Sequence, residues 1–169
     1  MRAENRVFRG VLFAGIMVTP EGEPFLLEHN VRFGDPETQV VVPRLSSSLT
    51  SLLAEAAAGH IRHDVRFADN AAVTVVCATE NYPATPRTGD RIAGLDEARS
   101  IDGVTVYFAG VRGGPPDDGS ALFTAGGRVL NVTALGANIG DARERAYRAV
   151  RCISWPGTHY RDDIALDVC

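Results

Sequence analysis

Leu27-Glu28-His29-Asn30-Val31-Arg32-Phe33-Gly34-Asp35-Pro36-Glu37-Thr38-Gln39 is the stretch from which the fold can be read. Its first part, together with Pro24-Phe25-Leu26, reads as a strand over residues 24–30. Side chains two apart on a strand share a face, so Glu28, Asn30 and Arg32 project together while His29 and Val31 project the other way. A carboxylate beside a carboxamide offers oxygen ligands suited to a hard cation such as Mg²⁺. An arginine on the same face can hold a carboxylate or a phosphate with its forked guanidinium. Gly34 permits a tight turn, and Asp35-Pro36 signals a helix start, predicting a short helix from residue 36 toward 42 that Pro43 interrupts. The amides opening that helix form a second surface friendly to anions. Spacing alone favours a solvated strand face over a metal site, and His29 reads as a packed or solvent histidine.

Upstream, residues 10–18 (GVLFAGIMV) read as another strand, and Thr19-Pro20-Glu21-Gly22-Glu23 supplies turn chemistry. An antiparallel hairpin is the simplest arrangement. Downstream, Leu45, Leu49, Leu52, Leu53 and Ala56 recur on one face at helical spacing, predicting a helix over residues 46–58. Ser46, Ser47 and Ser48 offer N-caps, and Gly59 stands as its C′ residue. Residues 60–70 read as loop, with a short strand available through Ile61, Val65 and Phe67.

Beyond residue 71 the pattern turns to short β-branched strands, over 72–78, 104–109, 121–125 and 128–135. Gly126-Gly127 between the last two is a two-residue hairpin signal. Residues 82–91 form a loop, and residues 113–119 a surface turn rich in glycine, proline and aspartate. One long helix is predicted over 140–153, with Ala142, Ala146, Val150 and Ile153 on its apolar face. Arg143, Arg145, Arg148 and Arg151 lie off that face and read as solvated.

The 169 residues, 45% hydrophobic and 22% charged, suit one domain with a full core or two small ones of α+β class. A net charge of −4 argues against a nucleic-acid partner. No apolar run is long enough for a transmembrane helix, so no membrane partner is expected. The polar start Met1-Arg2-Ala3-Glu4-Asn5-Arg6 is unlike a signal peptide, so the expected location is cytoplasmic. Cys77, Cys152 and Cys169, far apart and without a CxxC pair, read as reduced thiols. No nucleophile–histidine set and no Walker-type glycine loop stands out.

Glu28-His29-Asn30-Val31-Arg32-Phe33-Gly34-Asp35-Pro36-Glu37-Thr38-Gln39 closely resembles the E-F-N-x-R-F-G-D-P-E-T-Q segment of the phosphoribosylamine–glycine ligase family. Gly10 to Met17 resembles that family's G-x-L-Y-A-G-L-M strand. Tyr82-Pro83 with Gly89 and Ile92 is similar to its Y-P…G-x-x-I loop. Phe108-Ala109-Gly110, Gly126-Gly127-Arg128-Val129-Leu130 and Tyr160-Arg161-x-Asp163-Ile164 complete the series in order, across nearly the whole chain. Departures are few: His29 where the family often has Phe, Asn81 where many relatives have glycine, and Ala84 in place of a common glycine.

The resemblance implies residues 1–59 as the C-terminal portion of an ATP-grasp core, 60–71 as linker and 72–169 as the ligase C-terminal domain. The fold it implies is a partial ATP-grasp lobe of antiparallel strands with helices, then a small β-rich domain with one long helix. The function implied is part of an ATP-dependent ligase that joins glycine to 5-phosphoribosylamine through glycyl phosphate, in purine synthesis. Glu28 and Asn30 would hold Mg²⁺ or Mn²⁺. Arg32 would act on the migrating phosphoryl group or the glycine carboxylate, and Arg32, Gly34, Asp35 and Glu37 would line the substrate end. Arg128 is a candidate for the sugar-phosphate pocket, against an ordinary solvated arginine. The implied partner is an N-terminal ligase half, in cis or in trans; a second copy of the chain is expected to pair through its first ~45 residues, where the apolar strands would lack their cover. The alternative is a stand-alone non-catalytic relative serving as a binding or dimerisation module. A complete small metal-dependent enzyme is disfavoured, because no ATP-binding lobe is recognisable in these residues.

Overall fold

The computed structural model describes residues 2–115 and 121–168. The surface turn expected over 113–119 lies, from residue 116 on, outside the described residues, as does Cys169. The chain divides into two compact units: Met1–Thr38 with Leu45–Ala68, and Gln39–Arg44 with Asp69–Cys169. The architecture is α+β with antiparallel sheets.

In the first unit, β1 (Phe13–Val18) and β2 (Pro24–Asn30) pair antiparallel as a hairpin. Its turn is closed by the Gly22 amide donating to the Thr19 carbonyl at 2.9 Å, with Gly22 at φ +86°, where glycine escapes the steric penalty. The register shifts between Gly15 and Ile16, a bulge that leaves Leu27 unpaired. A short helix, α1 (Thr38–Arg44), follows; its first residue belongs to the first unit and the rest to the second. It opens two residues later than expected, and Pro43 sits inside it instead of ending it. In the last turn of so short a helix the proline forfeits only one backbone bond.

The next helix, α2 (Leu49–Ala58), is capped by Ser48, whose hydroxyl accepts from the Ser51 amide, and ends on Gly59 at φ +93°. It starts three residues later than expected because Ser46 donates its amide to the Arg66 carbonyl at 2.8 Å and Leu45 bridges to Phe67. Extended pairing thus claims the first serines, and Phe67 is all that forms of the short strand allowed over 60–70. Glu55 accepts from the amides of Arg62 and His63 and from the His63 ring, which hold its carboxyl below its usual value, the Arg62 amide foremost.

The second unit is built on a three-stranded antiparallel sheet, with β7 (Arg128–Gly136) between β3 (Ala71–Ala78) and β4 (Val104–Phe108). Alternation sorts the strands: Val73, Val75, Cys77, Val106, Leu130, Val132 and Ala134 join one apolar cluster with α4 (Ile139–Cys152). Ala142, Ala146, Ala149 and Val150 supply the helix side, their small side chains allowing close approach. On the other face of the sheet the buried Thr133 hydroxyl donates to Thr74 Oγ1 at 2.8 Å. β5 (Val111–Gly113) and β6 (Leu122–Thr124) form a separate pair, and α3 (Leu95–Arg99) packs beside α4. Neither α3 nor β5 is legible in the sequence, being too short to show a period.

Two expectations for this unit are corrected. Gly126-Gly127 is not a hairpin turn: β6 pairs with β5, and β7 pairs with β3 and β4. The glycines serve close packing instead, since a Cβ on Gly127 would strike the Tyr82 ring and one on Gly110 would strike the Gly126 backbone. Thr79 donates its amide to the Gly127 carbonyl at 2.8 Å, fixing the segment from a third side. Nor are all four helix arginines merely solvated. Arg143 donates to the carbonyls of Ile164 and Asp162 at 2.9 and 2.6 Å and lies over the Tyr147 ring, and Arg145 donates to the Leu135 carbonyl. They tie α4 to neighbouring backbone.

Cys77 and Cys152 are free thiols. Cys77 is fully buried, and burial pushes its pKa up to about 12, so almost none of it is thiolate at neutral pH. Iodoacetamide at pH 8 is therefore expected to leave Cys77 unmodified in the native protein and to label it on unfolding. Native-state labelling of Cys77, read by peptide mass spectrometry, would contradict this packing.

Candidate functional site

Pairing in the hairpin places Glu28 opposite Gly15 and Asn30 opposite Phe13, on one face, while His29 pairs with Ala14 on the other. Asn30 Nδ2 donates to Glu28 Oε1 at 2.9 Å. That bond uses one amide hydrogen and one carboxylate oxygen, so Asn30 Oδ1 and Glu28 Oε2 are not consumed by it. Glu28 and Glu37 line one groove of about 660 Å³ with Phe13, Ala14, Gly15, Ile16 and Leu27. Glu37 folds back over the buried Gly34, where a Cβ would collide with its carboxylate. The Gly34 carbonyl is held by the Thr38 hydroxyl at 2.5 Å and the Thr38 amide at 3.2 Å.

Arg32 lies beyond the end of β2, so strand alternation does not carry it onto the Glu28 face. Its guanidinium donates to the adjacent Phe33 carbonyl at 2.7 Å, and it is exposed. Asp35 is exposed and Gly34 buried, and neither lines the groove. Arg128, the first residue of β7, is exposed in the second unit. The structure thus joins Asn30 to Glu28 and sets Glu37 along the same groove as Glu28. Sequence reasoning missed the role of Gly15 beneath Glu28, although an isolated glycine in an apolar strand is a signal of a bulge or close approach.

The donor set fits a hard divalent cation. Its oxygens come from a carboxylate and a carboxamide on one strand face, whose mutual hydrogen bond uses the amide nitrogen and leaves the amide oxygen out, and from a second carboxylate along the groove. Among the described residues no group of three or more His, Cys, Asp or Glu is arranged to hold a metal. Few protein ligands suit Mg²⁺, which usually keeps waters and shares substrate phosphates. Among the described residues no helix is long and apolar enough to cross a membrane.

Comparison with known proteins gives the family of the chain by sequence and by fold. Residues 72–167 match the phosphoribosylglycinamide synthetase C domain, and residues 1–38 match the ATP-grasp (A) domain of the same synthetase. The phosphoribosylamine–glycine ligase of Streptomyces coelicolor is 49% identical over 167 residues, covering 98% of this chain and 39% of that protein. The crystal structure of phosphoribosylamine–glycine ligase from Thermotoga maritima superposes with a TM-score of 0.80 at 35% identity, covering 97% of this chain and 39% of that one. N5-carboxyaminoimidazole ribonucleotide synthetase from Thermotoga maritima shares the fold, with a TM-score of 0.62 at 18% identity, over 87% of this chain and 37% of that one. The chain spans about two fifths of the length of these relatives. By its motifs, its fold and these matches, the chain belongs to the phosphoribosylglycinamide synthetase family.

Proposed function

We propose that this chain supplies the cation end of an ATP-grasp site and the C domain of a phosphoribosylamine–glycine ligase, and acts together with an upstream half that carries the adenine-binding lobe. Residues 1–59 would complete the ATP-grasp core, 60–71 link, and 72–169 form the ligase C domain. The observation that carries the reading is the hydrogen-bonded Glu28–Asn30 pair on one strand face of a chain from this family. The reaction joins glycine to phosphoribosylamine, as its relatives' name describes, and in this reading ATP drives it through the ATP-grasp part of the site. A carboxylate is a poor acyl donor. Transfer of the γ-phosphoryl group to glycine gives glycyl phosphate and ADP, and the amine then displaces phosphate to form glycinamide ribonucleotide.

Glu28 and Asn30 are the residues that would hold Mg²⁺ or Mn²⁺, which supplies charge neutralisation at the terminal phosphates of ATP. Their work is electrostatic and positional, with no proton to carry. Arg32, exposed just beyond the strand, orients the glycine carboxylate or the transferring phosphoryl group. Gly34 and Asp35 form the turn that presents Glu37 to the substrate end of the groove. Arg128 is a sugar-phosphate candidate on the C domain. A ligase of purine synthesis places the chain in the cytoplasm.

In a reconstituted enzyme Glu28→Gln is expected to lower turnover about tenfold or more, since each decade is about 1.4 kcal/mol of transition-state stabilisation. Raised Mg²⁺ should partly restore it. Unchanged turnover and Mg²⁺ dependence would remove the pair from the site. A second reading, a dimerisation module, draws on Ile16, Met17, Val18, Leu26 and Leu27, each more than half exposed on the hairpin. So much exposed apolar side chain on one short hairpin is seldom left bare. Light scattering separates the two: the ligase reading expects an upstream half to displace any self-association through the hairpin.

A further inference from the structure

Gly15 stands in the middle of β1, where glycine weakens a strand and offers nothing to pack, at a cost of roughly 0.5–1 kcal/mol relative to alanine. Its backbone does not lie in the left-handed region, unlike Gly22 in the hairpin turn, so the main chain there does not call for glycine. Space does. A Cβ on Gly15 would lie 3.1 Å from Glu28 Cγ, while the nearest Glu28 backbone atoms would be at an ordinary 3.8 and 3.9 Å. The one crowded neighbour is therefore the side chain that bonds Asn30 and lines the groove. The other carboxylate of the groove has the same arrangement, Glu37 lying against the bare Gly34.

We propose that Gly15 is a positioning residue for the cation pair: its bare Cα is the seat over which the Glu28 side chain bends to meet the Asn30 amide. This rests on the reading of Glu28 and Asn30 as cation ligands. A methyl group at Gly15 moves Glu28 Cγ by a few tenths of an ångström and swings the carboxylate away from Asn30, opening the pair. It does not strain the backbone, and alanine is the better strand residue. Stability and site geometry therefore respond in opposite directions to one substitution, which a purely structural glycine would not produce.

The test uses the full 169-residue chain, with nuclear magnetic resonance of the Asn30 side-chain amide, in the absence of metal and then with Mn²⁺ as a paramagnetic probe. Gly15→Ala is expected to keep or raise Tm. In the metal-free protein its Asn30 amide resonance moves toward the position seen in Glu28→Ala, where the acceptor is gone. Its Mn²⁺ dissociation constant, read from broadening of that resonance, rises about tenfold, as for loss of a group that orients a ligand. An Asn30 resonance and Mn²⁺ affinity equal to the unsubstituted chain would overturn the proposal. So would a Gly15→Ala chain that fails to fold, since the glycine would then be structural. Failure of the cation reading looks different: Mn²⁺ then leaves Asn30 unbroadened in the unsubstituted chain, or broadens it equally in Glu28→Gln. That result removes the ligand role, and this inference with it.

Discussion

ADP formation by a polypeptide of these 169 residues, given ATP, glycine and 5-phosphoribosylamine, is expected to stay at background and to appear when an upstream ligase half is added. The match to the ATP-grasp domain ends at residue 38, and the relatives are covered over only 39% of their length. What the first unit holds is Glu28 and Glu37 along an open groove, with Asn30 hydrogen-bonded to Glu28. Phosphoryl transfer depends almost wholly on positioning and charge stabilisation, and correct placement of reactants alone is worth about 7–11 kcal/mol. Without the lobe that holds the nucleotide base, that whole contribution is forfeited, so the rate difference on reconstitution should reach about five orders of magnitude or more. Clear turnover by the 169-residue polypeptide alone would defeat the reading. A well-folded upstream half that binds the chain yet restores nothing would favour the non-catalytic module.

The hairpin was legible because its determinants are local: an apolar run, a turn of Thr19-Pro20-Glu21-Gly22-Glu23, and a second apolar run with polar residues at spacing two. The same holds for the face of α4, where Ala142, Ala146 and Val150 keep a helical period and are buried. What escaped depends on distant partners. Gly126-Gly127 carries a local hairpin signal, yet Gly110, Tyr82 and Thr79 decide its conformation from 16 to 48 residues away in sequence. Arg143 and Arg145 read as solvated until the carbonyls of Asp162, Ile164 and Leu135 are seen beside them. At the site, the Glu28–Asn30 pairing followed from strand alternation, but Arg32 did not stay with it, because pairing to β1 ends at Asn30. Glu37 joined the groove only through the fold of its turn over Gly34.

Leu130→Ala is expected to destabilise the protein by about 2–5 kcal/mol, the usual cost of a large cavity in a packed core. The effect should fall on the second unit alone. Leu130 is fully buried on the central strand of the three-stranded sheet, within the cluster shared by β3, β4 and α4. The first unit has no comparable core: among the described residues Leu52 is its one large apolar side chain that is buried, and the hairpin is largely exposed. Local stability follows burial, so amides of β7 should exchange slowest and those of β1 and β2 far faster. At roughly 2–4 °C per kcal/mol for a chain of this size, Leu130→Ala lowers the main unfolding transition by about 4–20 °C. Leu27→Ala, at a position 65% exposed, should leave that transition within about 0.5 kcal/mol of its value. It should instead weaken association with the upstream half, because Leu27 belongs to the apolar surface that such a half would cover. Hairpin amides exchanging as slowly as those of β7 would mean that the first unit is stabilised independently of any partner, and the need for an upstream half to complete it would lose its physical basis.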